Sequence, residues 1–206
     1  MEHLFIAGKA SLPPILLLHG TGGDEHSLVD VAQFVAPDAP ILSLRGDVSE
    51  NGANRFFKRF ADGSFDLVDL AGKTKELLSE TNRLAEKYDL VFNDFVALGY
   101  SNGANIAANA LLQEEEGFHY GILFHAMPAG NDPDTFNISH RRVFLTAGMN
   151  DPIVTQAAST TLGRELESRG ASVETMWTVS GHQLTMPELE GARDWYQKLS
   201  GDKYAI

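Results

Sequence analysis

Three residue types that together can activate a hydroxyl occur in this chain at spacings that would let them meet. Ser101 lies in Gly99-Tyr100-Ser101-Asn102-Gly103, a match to G-x-S-x-G. A serine hydroxyl is a poor nucleophile until a base takes its proton, and the base needs an acid to hold its tautomer and orientation. Asp151, in Gly148-Met149-Asn150-Asp151-Pro152, and His182, in Ser180-Gly181-His182-Gln183, follow Ser101 in the chain. Serine, acid, histidine is the order expected when a strand-turn-helix presents the nucleophile and later strands complete it. The chemistry such a trio supports is attack on an acyl carbon, giving an acyl-serine that water hydrolyses.

Each assignment has rivals. Asp132 and Asp134 are the alternative acids, but they lie in a Pro/Gly/Asn-rich stretch that reads as turn. Among seven histidines, His3 precedes the predicted sheet, and His119 and His140 stand before strands, at the edge opposite Ser101. His125 ends a strand and reads either as a pocket wall or as a satisfied near-core histidine. The anionic tetrahedral intermediate needs two donors. The backbone N–H of Asn102 is one, and Thr21 in His19-Gly20-Thr21-Gly22-Gly23 is the other, with Gly22 beside it. These glycines fit neither G-x-G-x-x-G nor a P-loop, so nucleotide binding is not expected. His19, Asp24 and His26 have no spacing that sets a metal geometry, and Asp24 suits a helix N-cap. The hydrolytic chemistry is complete with these groups and water, so no metal or cofactor is expected.

Positioning these residues requires a particular scaffold. Ile15 to Leu18 is a continuous apolar run, the mark of a strand buried on both faces of a parallel sheet. The design recurs at Ile41 to Leu44, Phe95 to Gly99, Tyr120 to Phe124, Val143 to Thr146 and, more weakly, Val173 to Val179. Helical periodicity is clearest over Leu67 to Tyr88, with further helices expected at Glu25 to Val35, Asn102 to Glu116, Thr155 to Arg169 and Pro187 to Leu199. The order predicts an α/β fold with a mostly parallel central sheet and helices on both faces. Ser101, Asp151 and His182 then each follow a separate strand at one sheet edge. Asp47 to Asp66 has no long period and reads as a loop with a short helix.

The 206 residues suit a single domain spanning residues 1–206, with no repeat or linker to divide it. A net charge of −12 repels phosphate backbones and anionic lipid, which argues against nucleic-acid partners. The absence of cysteine removes disulfides, thiolate zinc sites and a cysteine nucleophile. No basic and apolar leader or membrane-length run opens the chain, so a cytoplasmic protein without membrane insertion is expected. The sequence leaves monomer or homodimer open.

On Leu18 to Asp24, Gly99 to Gly103, Asp151 to Val154 and Gly181-His182, the chain resembles the phospholipase/carboxylesterase group of α/β-hydrolases, which includes acyl-protein thioesterases. Arg45 to Gly52 with Arg55-Phe56-Phe57 is similar to bacterial carboxylesterases linked to hydroquinone and quinone response. Acyl-protein thioesterases typically carry Gln after the nucleophile, where this chain has Asn102. The resemblance implies a serine carboxylesterase acting on small-molecule esters, with acyl thioesterase or lysophospholipase-like activity as the alternative. A catalytically silent ligand-binding hydrolase fold is the reading from another class. The stretch between Phe124 and Val143 is too short for a separate lid domain, so an open pocket is expected, bordered by Gly22, Phe56, Phe57, His125 and Met127. Arg55, Lys58 and Arg59 form a basic cluster that reads either as a contact for an anionic substrate or as charges solvated or paired with acids.

Overall fold

Alternate residues of the buried strands feed two separate apolar layers, as side chains that point to opposite faces of a pleated sheet must. Leu16 and Leu18 enter one layer and Ile15 and Leu17 the other, all four with no exposed surface. The computed structural model describes residues 1–129 and 136–204. Its main sheet contains β1 (His3–Ile6), β2 (Ile15–Leu18), β3 (Ile41–Leu44), β6 (Val96–Tyr100), β7 (Tyr120–Phe124), β8 (Arg142–Gly148) and β9 (Ser172–Thr178). The remaining two strands, β4 (Val48–Glu50) and β5 (Ala53–Arg55), form a separate hairpin.

The sheet order is β1-β3-β2-β6-β7-β8-β9, with β1 antiparallel to β3 and the other neighbours parallel. Helices α2 (Leu67–Lys87), α3 (Asn102–Gln113) and α4 (Gln156–Ser168) cover one face, through Leu70, Leu77, Ala107, Leu111 and Leu162. Helices α1 (Val29–Val35) and α5 (Met186–Tyr204) cover the other through Ala32, Val35, Ala192, Trp195 and Leu199. Each such leucine or valine contributes about 1.5–3 kcal/mol on burial, so the two layers specify strand register strongly. Leu18 pairs with Gly99, Tyr100 with Phe124 and Gly148 with Thr178, so the loops after these strands emerge along one edge.

The structure departs from expectation in three places. Asp47 to Asp66 holds the β4–β5 hairpin where a short helix was expected. The reason is Asn51-Gly52, both at positive φ (53° and 85°), the pair that a tight hairpin turn demands. Helix α1 begins at Val29 because Asp24 caps an earlier turn, its side chain accepting from the His26 N–H and the Ser27 hydroxyl. Strand β1 is too short and half-buried to carry a sequence signal. Asp132 and Asp134 lie outside the described residues, as does part of the connection in which no lid was expected. Among the described residues no helix is long and apolar enough to cross a membrane.

Candidate active site

The turn from β6 into α3 forces Ser101 to φ 51°, ψ −114°, a conformation an L-residue adopts at a cost of about 1–3 kcal/mol. The surroundings hold it there. Its N–H donates to the Phe124 carbonyl (3.0 Å) and its own carbonyl accepts from the Asn105 N–H (2.9 Å). A Cβ at Gly103 would strike the Leu18 carbonyl, and one at Gly99 would lie 2.6 Å from the Ala104 nitrogen. Both small residues are therefore needed for the strand and helix to meet at this angle.

The loops after β8 and β9 bring the acid and the histidine to this serine. His182 Nε2 lies 2.9 Å from Ser101 Oγ, and His182 Nδ1 lies 2.6 Å from Asp151 Oδ2. Because an ionised carboxylate only accepts, Nδ1 carries the proton and Nε2 is left to accept one. The Tyr100 hydroxyl donates to the His182 carbonyl (2.6 Å), and Asn150 Oδ1 accepts from the Gly181 N–H (2.9 Å), so the histidine loop is held at two points. Asp151 is buried and its Oδ1 accepts from the N–H groups of Ile153 (2.8 Å) and Val154 (2.9 Å). Burial pushes its pKa up, but the Val154 N–H, His182 and the Ile153 N–H together outweigh this and hold the carboxyl below its ordinary value.

The β4–β5 hairpin fastens both expected donor segments. Arg55 Nη1 donates to Thr21 Oγ1 (2.7 Å), the Gly22 N–H to the Asn54 carbonyl (2.9 Å) and Asn54 Nδ2 to the Gly23 carbonyl (2.8 Å). The Phe56 N–H donates to Asn102 Oδ1 (2.8 Å). Asn102 opens α3, a position whose backbone N–H has no acceptor within the helix. His19 holds the loop from beneath: Nδ1 donates to the Gly20 carbonyl (2.7 Å) and Nε2 accepts from the Gly46 N–H (3.0 Å). That pattern requires a neutral ring, and burial lowers the His19 pKa accordingly.

A cavity of about 390 Å³ opens above Ser101, and its wall includes Thr21, Arg55, Arg59, Phe65, Asn102, Met127, Ile153, Val154 and His182. Of the five expected border residues only Met127 is on this wall. Phe56 and Phe57 are fully buried, Phe56 against the His19 ring (4.7 Å between centroids) and Phe57 edge-on to Phe65 (5.0 Å). Two bulky apolar side chains gain more from the core than from a wet cleft, which is why the pocket loses them. Gly22 lies off the wall with its N–H bonded to Asn54. His125 is fully buried behind Asp151, its Nδ1 3.1 Å from Oδ2. The basic cluster also divides: Lys58 pairs with Asp69 (3.2 Å), while Arg55 and Arg59 share Glu50 at 3.2 and 2.8 Å and border the cavity.

Sequence reasoning missed Glu188, which is fully buried with Oε1 2.9 Å from His125 Nε2. Thr185-Met186-Pro187-Glu188 is a capping-box pattern, and Glu188 Oε2 indeed accepts from the Thr185 N–H (2.9 Å) and hydroxyl (2.7 Å). The pattern was legible as a helix start, but its contact with the histidine cluster was not. Among the described residues, His125, Asp151 and His182 are the one grouping with metal-ligand atoms within 4.8 Å of one another. Asp151 Oδ2 is already in contact with both rings.

No protein-family model matches the chain. It is 41% identical over 198 residues to a Bacillus subtilis (strain 168) protein named "Putative hydrolase MhqD", spanning 96% of this chain and 98% of that one. The crystal structure of the Bacillus cereus carboxylesterase superposes with a TM-score of 0.93 at 45% identity, over 96% of this chain and 94% of that one. YahD, solved with malic acid, superposes with a TM-score of 0.91 at 42% identity, over 96% and 98% of the two chains.

Proposed function

The chain belongs to the α/β-hydrolase carboxylesterases, and from that premise we propose that it cleaves small to medium carboxylic esters through an acyl-enzyme on Ser101. The observation that carries the reading is the unbroken line from Ser101 Oγ to His182 (2.9 Å) and from His182 to Asp151 (2.6 Å) at the floor of the cavity. In the proposed cycle, His182 Nε2 takes the hydroxyl proton as Oγ attacks the acyl carbon, and Asp151 stabilises the imidazolium that forms. The N–H groups of Thr21 and Asn102 meet the oxyanion, with Thr21 held by Arg55 and Asn102 by the Phe56 N–H. The C–O bond then breaks, and the proton on His182 passes to the leaving alcohol. Water repeats the sequence against the acyl-serine, giving the free acid and restoring Ser101.

Within that substrate class the cavity wall discriminates by charge. Arg55 and Arg59 border it with a single carboxylate, Glu50, shared between them, which leaves one positive charge over, and no carboxylate side chain is on the wall among the described residues. Esters carrying a carboxylate are therefore preferred over esters carrying a cation, a preference in keeping with the malic acid seen in YahD.

The test is fluorophosphonate labelling followed by peptide mass spectrometry, run beside an ester panel that varies acyl length, charge and oxygen versus sulfur leaving group. The adduct is expected on Ser101 alone, with loss of labelling and of turnover in Ser101→Ala. Full labelling of that variant, or a wild-type protein that neither labels nor hydrolyses any ester, overturns the reading.

A further inference from the structure

The proposed cycle uses one face of Asp151 and leaves two buried ionisable groups behind it unexplained. His125 and Glu188 have no exposed surface, and they extend the line of polar atoms from Asp151 to the first turn of α5. His125 Nδ1 is 3.1 Å from Asp151 Oδ2, and His125 Nε2 is 2.9 Å from Glu188 Oε1. The second contact is out of line for an N–H donor, so it is an ion pair by distance rather than an aligned hydrogen bond. A neutral imidazole has a lone pair on one nitrogen. With a carboxylate oxygen against each ring nitrogen, that lone pair would face a negative charge in a site with no exposed surface. The far oxygens of both carboxylates already accept donors, Asp151 Oδ1 from Ile153 and Val154 and Glu188 Oε2 from Thr185, which favours the ionised form of each.

We infer that His125 is a protonated positioning residue, an imidazolium clamped between Asp151 and Glu188 that fixes the carboxylate facing His182. The inference rests on the roles proposed for Ser101, His182 and Asp151. Burial opposes the charge on His125, but Glu188 and Asp151 outweigh it and the net effect raises the pKa; Glu188 is correspondingly held below its ordinary value despite its own burial. The groups facing the ring are Tyr100 from β6, Asp151 from the loop after β8, His182 from the loop after β9 and Glu188 from α5. None of these brings a second permanent cation. The backbone also bends to place the ring, since His125 is one of the few non-glycine residues at positive φ (55°).

Two consequences follow. The clamp keeps Asp151 Oδ2 in line with His182 Nδ1. It also places the charge of Asp151 Oδ2 between two rings.

Histidine-selective 15N NMR of the wild-type protein reads the charge state without reference to catalysis. Both His125 nitrogens are expected to stay protonated at a pH where an ordinary imidazole, with a pKa of about 6.5, has begun to lose its proton. The kinetic arm uses His125→Gln/Glu188→Gln, which removes one charge of each sign and so leaves the net charge of the buried cluster unchanged. It is expected to lower kcat about tenfold with little change in KM. A neutral His125 under those conditions, or a folded double variant with wild-type kcat and KM, overturns the inference. Failure of the wild-type protein to label at Ser101 would instead strike the underlying assignment, and the NMR result would stand apart from it.

Discussion

Ser101 and its two flanking glycines couple backbone strain to chemistry. The strained φ of Ser101 persists because Gly103 lets α3 pass against the Leu18 carbonyl. Gly103→Ala is expected to push helix and strand apart, lowering both turnover and the thermal midpoint, by about 1–3 kcal/mol in stability. A melt and an activity equal to wild type would show the approach to be looser than described. Asp151→Asn presents a different case, since the amide oxygen can still accept from Ile153 and Val154 while its NH₂ faces His182 Nδ1. The histidine then turns its proton toward Ser101, and kcat is expected to fall by as much as ~10⁴-fold with the fold retained but less stable, because the same NH₂ replaces the oxygen that faces His125 Nδ1. Circular dichroism beside steady-state kinetics checks both halves of that statement.

At the scale of elements, the β4–β5 hairpin and the residue after it brace the cavity wall at Thr21 and Asn102. They contribute Arg55 to Thr21, Asn54 to the glycine loop and the Phe56 N–H to Asn102. Arg55→Met keeps the bulk but frees Thr21, and leaves Glu50 paired with Arg59. Turnover of a neutral ester is expected to drop about tenfold or more as one oxyanion donor loses its support, while the thermal midpoint moves little. Arg141 anchors a different element: wholly buried, it donates to the carbonyls of Leu111, Glu114 and Glu115 at the end of α3. Burial pulls its pKa down to about 10, so it stays charged at neutral pH. Arg141→Met leaves those carbonyls unmatched and is expected to cost about 2–4 kcal/mol in urea-induced unfolding.

Across the whole molecule, the net charge of −12 sets how acid acts on it. Initial acidification neutralises carboxylates and relieves repulsion. Further acid then removes specific ion pairs, of which Glu80 is the clearest. The Arg83 guanidinium and the chain's N-terminal ammonium hold its carboxyl at about 2, against an ordinary value near 4.5. A depressed carboxyl contributes stability above its unfolded pKa and loses it as pH falls through the folded one. Glu80 therefore supports the fold above about pH 4.5 and its contribution disappears toward pH 2. Because the side chain is near the surface, the effect is modest and screened by salt. The loss of urea midpoint between pH 6 and pH 3 is expected to be smaller in Glu80→Gln than in wild type at low ionic strength. Equal losses in the two proteins would place the acid sensitivity elsewhere.

The parallel sheet was legible in the sequence because runs such as Ile15 to Leu18 are apolar at consecutive positions, and only burial on both faces suits them. The order of Ser101, Asp151 and His182 was legible too, since each follows a strand and parallel strands deliver their ends to one edge. The hairpin at 48–55 was written in Asn51-Gly52 but masked by strands too short and polar to show alternation. Tertiary structure alone decided that Phe56 and Phe57 leave the cavity for the core, that Arg55 reaches Thr21, and that Glu188 meets His125 across 63 positions of chain. Local sequence carries the periodicity that selects strands and helices. Which polar groups become partners depends on distances closed by packing between distant segments, and a buried charge reveals its role only when the group that balances it is found.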